Sequence, residues 1–230
     1  MMKLPPGRTR IKICGLTRPE DVDAAVAAGA DAVGFVFAES SPRAIAPPIA
    51  ADLVQRLPAF VVPIGVFVDL PWNRVRDIAR TAGLSTVQLH GTAEDEAAVE
   101  ALAHDFKVIR AIPSRPEEIE RWGQASPDLP LAGLLVDGSS GGLGQAFDWQ
   151  RAAELLATVH VPLIVAGGLD PDNVGLAIRL LRPFGVDVSS GVEETPGVKS
   201  VERMSRFCAA VRAADDGLRR VHRDQQGHAD

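Results

Sequence analysis

Short and nearly continuous apolar runs recur along the chain, over Arg10–Cys14, Ala32–Phe37, Val61–Val68, Thr86–Leu89, Phe106–Ile112, Leu131–Val136, Leu163–Ala166 and Val186–Ser189. Runs of this length without strict alternation are the pattern of parallel strands covered on both faces. Between them lie amphipathic stretches with readable starts. Thr17-x-x-Glu20 and Ser114-x-x-Glu117 fit capping boxes, and Asp170-Pro171 fits an N-cap followed by proline at the first helical position. After Asp170, Val174, Ala177, Ile178 and Leu181 recur at spacings of three and four and predict one buried helical stripe.

Strand starts fall about 20 to 30 residues apart, which leaves room for one helix and two loops per unit. Eight such units predict a single closed (β/α)₈ barrel, an α/β fold, over residues 1–212. An open doubly wound sheet has the same alternation, so strand count and length decide for the barrel. The polar stretch 213–230 reads as a frayed tail beyond the last helix.

Composition narrows the function. The 230 residues are 46% hydrophobic and 23% charged, which excludes a disordered or fibrous chain. With 24 Lys+Arg against 30 Asp+Glu, and no basic cluster interleaved with aromatics, nucleic acid is not an expected partner. No apolar run is long enough to span a membrane, and Met1 to Arg10 holds no apolar leader segment, so a cytoplasmic protein without a membrane partner is expected. Two cysteines and five scattered histidines offer neither a disulfide framework nor metal-ligand spacing, and no metal is expected.

In a barrel, reactive groups belong at the C-terminal ends of strands and in the loops that follow. Those positions hold Cys14, Arg43, Asp69, His90, Asp137, the loop Gly141-Gly142-Leu143-Gly144, Gly167-Gly168 and Ser189-Ser190-Gly191. The glycine loops after strands six, seven and eight expose backbone N–H groups and read as a phosphate site, with Gly142, Gly144, Gly167, Gly168, Ser190 and Gly191 as donors. Tight turns alone are the plainer account of any one glycine pair. Lys12 and Cys14 share one face of a strand, and a face that holds lysine is not expected to pack dry against helices. Cys14 is then a base or nucleophile, where an isolated cysteine is more often a small buried hydrophobe. Asp137, closing an apolar run, is either a cap or an acid. Cys208, beside Phe207 and Val211, reads as core, and His104 and His160 as surface or structural residues.

Together these residues resemble one family. Lys12-Ile-Cys14-Gly15-Leu-Thr17, Gly34-Phe-Val-Phe37 with Ser41-Pro42-Arg43, Gly65-Val-Phe-Val-Asp69, Val87-Gln88-Leu-His90-Gly91 and Leu135-Val-Asp137 are similar, in order, to motifs of phosphoribosylanthranilate isomerase. So are Gly141-Gly142-x-Gly144 with Phe147-Asp148-Trp149, Ala166-Gly167-Gly168-Leu-x-Pro171-x-Asn173-Val, and Gly185-Val-Asp187-x-Ser-Ser190-Gly191-Val-Glu193 with Pro196-Gly-x-Lys199. The resemblance runs from Lys12 to about Ser200. It implies a (β/α)₈ barrel that converts N-(5-phosphoribosyl)anthranilate into 1-(o-carboxyphenylamino)-1-deoxyribulose 5-phosphate by an Amadori rearrangement in tryptophan biosynthesis, with no cofactor. It further implies Cys14 as general base, Asp137 as general acid and Arg43 on the anthranilate carboxylate, with the ribose phosphate in the glycine loops. Lys12, His90 and Asp187 are possible supporting residues. Leu143 stands where the family usually carries a hydroxyl.

The chemistry agrees with this set. Opening a furanose needs a proton on the ring oxygen, and the iminium so formed acidifies the C2 proton for removal by a base. An ordinary thiol ionises near about 8.5, so Lys12 is expected to favour the thiolate. The histidine-pathway isomerase that performs the same rearrangement carries aspartate at the end of strand one, so Cys14 argues against that relative. A barrel that only binds a phosphorylated ligand would tolerate loss of Cys14 and Asp137.

Overall fold

The structure, a computed structural model, describes residues 8–91, 95–125, 129–138, 156 and 159–226. The predicted strands form as β1 (Arg10–Cys14), β2 (Ala32–Val36), β3 (Val62–Val68), β4 (Thr86–His90), β5 (Lys107–Pro113), β6 (Leu131–Asp137), β7 (Leu163–Ala166) and β8 (Gly185–Val188). Each pairs in parallel with its sequence neighbours, and β8 pairs back onto β1 with Lys12 beside Asp187. That last pairing excludes the open sheet: this is a closed (β/α)₈ barrel. A short antiparallel pair, β9 (Glu193–Thr195) and β10 (Val198–Lys199), follows β8.

Alternation along each strand sends one set of side chains inward and the other toward the helices. Ile11, Ile13, Val33, Phe35 and Phe67 point outward into one large core, shared with Val22, Leu53, Val75, Val99, Ile119 and Ile178 of the surrounding helices. The inward set is smaller and separate: Ile64, Ile109, Ala111, Leu135 and Ala166 fill the barrel, and Cys14, Val36 and Val66 sit together above them. Both faces are covered, so the strands read as continuous apolar runs.

Among the described residues, helices form as α1 (Pro19–Ala28), α2 (Pro47–Val54), α3 (Trp72–Thr81), α4 (Asp95–Ala103), α5 (Pro116–Ala125), α6 (Val174–Leu181) and α7 (Val201–Gln226). All three expected caps are corrected. The cap position of α1 is Arg18, and Thr17 Oγ1 instead donates to the carbonyl of Gly197, tying the loop after β1 to the β9–β10 turn. Proline sits at the start of α5 too, so Arg115 rather than Ser114 precedes its first residue. The third lies further along: α6 starts at Val174 with Asn173 at its cap position, and Asp170 instead closes the turn before it, its Oδ1 accepting from the N–H groups of Asp172 and Asn173 and its carbonyl from Val174. Val174, Ala177 and Ile178 are fully buried, and Leu181 packs against them.

The tail boundary near residue 213 is also corrected, because α7 runs on to Gln226. Its buried stripe Met204, Phe207, Cys208, Val211 and Ala214 continues past that point at helical spacing, hidden in the sequence among charged residues. Asp215 is buried and accepts from both the backbone N–H and the hydroxyl of Thr9, at 2.8 and 2.7 Å. The last helix thereby clamps the entry to the first strand. Asp215→Ala leaves a buried donor pair unsatisfied and is expected to cost about 1–3 kcal/mol in urea-unfolding free energy; unchanged stability would show that the clamp contributes nothing.

Candidate active site

The first two groups of the site follow from strand register. Lys12 and Asp187 are Cα partners on adjacent strands and face the same way, so their side chains meet inside the barrel at 2.7 Å, both buried. Burial opposes the Lys12 charge, but Asp187 and the Cys14 sulfur outweigh it, and the ammonium is held above its ordinary value. Cys14, two residues on, faces the same interior. Its Cα partner is Gly34, where a Cβ would lie 2.7 Å from Cys14 Sγ and 3.2 Å from Lys12 Cε. The absent side chain at Gly34 is what makes room for sulfur and lysine stem together.

Lys12 favours the Cys14 thiolate as expected, but burial outweighs it. Burial pushes the thiol up, Lys12 pulls it down, and Asp187 claims part of that lysine's charge and pushes the thiol up again. The net shift is upward.

Across the barrel, Thr86, Gln88 and His90 share the inward face of β4. Gln88 Nε2 lies 2.6 Å from His90 Nε2. Burial, then Lys12, lowers the His90 pKa below its ordinary value against the pull of Asp137 and Asp187, so the imidazole is neutral at physiological pH. Asp137 closes β6 on the face of Leu135, two residues earlier, at the mouth of the barrel. Asp187 Oδ1 and Gln88 Oε1 are buried without a protein partner among the described residues. Four expected groups, Lys12, Cys14, His90 and Asp187, act on one another through this interior.

Arg43 stands in the loop after β2, but its fork is already engaged. Nε and Nη2 donate to Glu193 Oε1 and Oε2 at 2.8 and 2.7 Å. Lys199, wholly buried, donates to the same Oε1 at 2.6 Å and to the carbonyl of Ser189 at 3.1 Å. Burial would raise the Glu193 carboxyl, yet Arg43 and Lys199 together hold it below its usual range. Ser189 Oγ in turn donates to the carbonyl of Cys14 at 3.1 Å.

Of the phosphate loops, Gly142 and Gly144, with Leu143, lie outside the described residues. Gly167 and Gly168 adopt φ of 87° and 66°, conformations that favour glycine, and a Cβ on Gly168 would meet nothing within 4 Å. Asn173 Nδ2 donates to the Gly168 carbonyl and fixes the loop. Gly191 lies in the 3₁₀ turn Ser190–Val192, where a Cβ would fall 2.0 Å from the carbonyl oxygen of Leu169. The loops after β7 and β8 are therefore in contact through that glycine.

A family model described as N-(5'-phosphoribosyl)anthranilate (PRA) isomerase matches residues 11–210. The chain belongs to the PRA isomerase family. The N-(5'-phosphoribosyl)anthranilate isomerase of Dechloromonas aromatica is 45% identical over 215 residues, covering 92% of this chain and 100% of the relative. The phosphoribosyl anthranilate isomerase of Thermotoga maritima superposes with a TM-score of 0.82 at 38% identity, over 89% of this chain and 99% of that one. A solved PRA isomerase in complex with reduced 1-(o-carboxyphenylamino)-1-deoxyribulose 5-phosphate gives a TM-score of 0.80 at 37% identity, with the same coverage. Members of the family are intramolecular aldose–ketose isomerases of tryptophan biosynthesis, as the motifs from Lys12 to Ser200 imply.

Glu193, Lys199 and Gln88 join the site of this PRA isomerase although none is among the candidates the sequence offers. The first two stood in the closing motif, but a charge pair spanning 150 residues leaves no periodic trace. Gln88 could have been found from its spacing of two before His90 on a strand. The Cys14 environment is testable directly. The upward shift predicts that native alkylation by iodoacetamide, followed by peptide mapping, has a rate–pH midpoint above the about 8.5 of an ordinary thiol. A midpoint below that value would mean that Lys12 governs. Cys208, in the core of α7 and pushed up to about 11 by burial, is separated by its own peptide.

Proposed function

We propose that this PRA isomerase performs the family's Amadori rearrangement with Cys14 as base and Asp137 as acid, on a phosphorylated substrate held by Arg43 and the glycine loops, in the cytoplasm and without metal or cofactor. The observation that carries the reading is the placement of Cys14 and Asp137 on the inward face at the C-terminal ends of β1 and β6, above a buried Lys12–Asp187 ion pair. Asp137 donates a proton to the furanose ring oxygen as the C1–O bond breaks, leaving an iminium between C1 and the anthranilate nitrogen. Cys14 then takes the C2 proton, and the electron pair of that bond neutralises the iminium to give an enolamine that tautomerises to the ketone.

A thiol that is pushed up is rarely ionised but is the stronger base when it is, and Lys12 stabilises the thiolate that must be present before the C2 proton is taken. Neutral His90 neither repels a cationic iminium nor competes as an acid. For the phosphate, Gly168 and Ser190–Gly191 supply backbone N–H groups from two touching loops, and Gly142 and Gly144 are assigned to the same anion. The bound product analogue in the solved relative supports a phosphorylated small molecule as ligand.

Fluorescence-monitored turnover of phosphoribosylanthranilate, with a chelator present, tests the assignment. Cys14→Ala and Asp137→Asn are each expected to lower kcat by about 10² or more with a smaller effect on product-analogue binding. The limb of the pH profile that rises with pH is expected to move to lower pH in Cys14→Asp, because a carboxyl ionises several units below a thiol. Full kcat in either deletion variant would leave a barrel that only binds its ligand. Gly168→Val places a branched side chain at φ of 66° in the phosphate loop and is expected chiefly to raise KM; an unchanged KM would remove that loop from the site.

A further inference from the structure

We propose that Glu193, held from behind by Lys199, is a specificity-determining positioning residue: it grips one edge of the Arg43 guanidinium and thereby presents the other edge to the carboxylate on the substrate's aromatic ring. The proposal rests on the assignment of Arg43 to that carboxylate, and deepens it.

A guanidinium carries five N–H donors along two forked edges, one made by Nε with a terminal nitrogen and one by the two terminal nitrogens. Glu193 takes Nε and Nη2, at 2.8 and 2.7 Å. The edge between Nη1 and Nη2 still matches a second carboxylate. Within the Arg43–Glu193–Lys199 group two cations meet one anion, so one positive charge is left over. Lys199 is wholly buried and Glu193 nearly so, whereas the Arg43 side chain is 22% exposed. The surplus charge is therefore expressed at the arginine end, where an anion can reach it.

The group is also in register with the reacting strand end. Gly15, next to Cys14, has φ of 79°, and a Cβ there would lie 2.5 Å from Arg43 Cδ, so the loop after β1 lies directly on the arginine stem. At the other end, Lys199 donates to the Ser189 carbonyl and Ser189 Oγ donates to the Cys14 carbonyl. A carboxylate seated on the free edge is thus fixed relative to the sulfur through two independent paths. A purely structural ion group has no need of this arrangement, because buried ion pairs seldom stabilise more than apolar packing of the same volume. Preorganising a planar fork, by contrast, lowers the cost of binding a planar anion.

The test compares two ligands: the reduced 1-(o-carboxyphenylamino)-1-deoxyribulose 5-phosphate, and its phenylamino counterpart without the carboxylate. Glu193→Gln is expected to weaken the carboxylate-bearing ligand on the order of tenfold and to leave the other within a factor of about two. In turnover, KM for phosphoribosylanthranilate is expected to rise more than kcat falls. Arg43→Ala is expected to show the same discrimination, and the double variant no further loss. Should Glu193→Gln leave Lys199 unpaired and the fold compromised in a thermal melt, Glu193→Gln with Lys199→Met removes both charges and carries the same expectation. Equal weakening of both ligands, no change, or tighter binding of the carboxylate ligand would overturn the proposal. If Arg43→Ala itself binds both ligands as the parent does, the assignment of Arg43 fails, a result distinguishable from failure of Glu193 alone.

Discussion

The ion pair of Lys12 and Asp187 sits at the seam where the barrel closes, and the site is organised around it. Its partners are side by side only because β8 pairs with β1, and both are buried at a depth where neither could remain charged alone. Removing one member of such a pair typically costs about 3–5 kcal/mol, since the other is left as an uncompensated buried charge. The seam and the reactive interior are therefore one object. Closure brings the ions together, and burial, followed by their charges, sets the conditions for the Cys14 thiol above and for His90 across the barrel.

A second ion group, Arg43–Glu193–Lys199, performs a related service at the rim. It joins the loops after β2 and β8, and it meets the loop after β1 through Gly15, whose missing side chain admits the arginine stem. Glycine has the same use at Gly34, where sulfur and lysine share the space, and at Gly191, where two loops touch. In each case the requirement is close approach. At these positions the site leaves no room for a Cβ, so its geometry depends on residues that have no chemistry of their own.

Strand positions, the inward placement of Lys12 with Cys14, and the polar ends of the barrel strands were all legible, because each follows from an alternation of two or a stripe of three and four carried by adjacent residues. The end of α7 was not, since its buried stripe past Val211 is outnumbered by charges such as Arg212, Asp216 and Arg219. The caps at Thr17 and Ser114 fit the local pattern, but a proline at the helix start and a distant acceptor on Gly197 decided otherwise. The net shift of Cys14 was out of reach for a comparable reason: a sequence shows that a lysine is near, but not how deeply the thiol is buried or that Asp187 already holds that lysine.

What the sequence by itself determined is the barrel, its family and which residues stand at the C-terminal ends of its strands, all of which rest on local order and on motifs read along the chain. Only the tertiary structure decided how those charges are shared. Lys12 belongs to Asp187 before it belongs to Cys14, and Arg43 is gripped by Glu193 before any ligand arrives. The physical reason is that both pairings join residues 150 or more positions apart, and their strength depends on burial and on a hydrogen-bond geometry that exists only once the strands have closed.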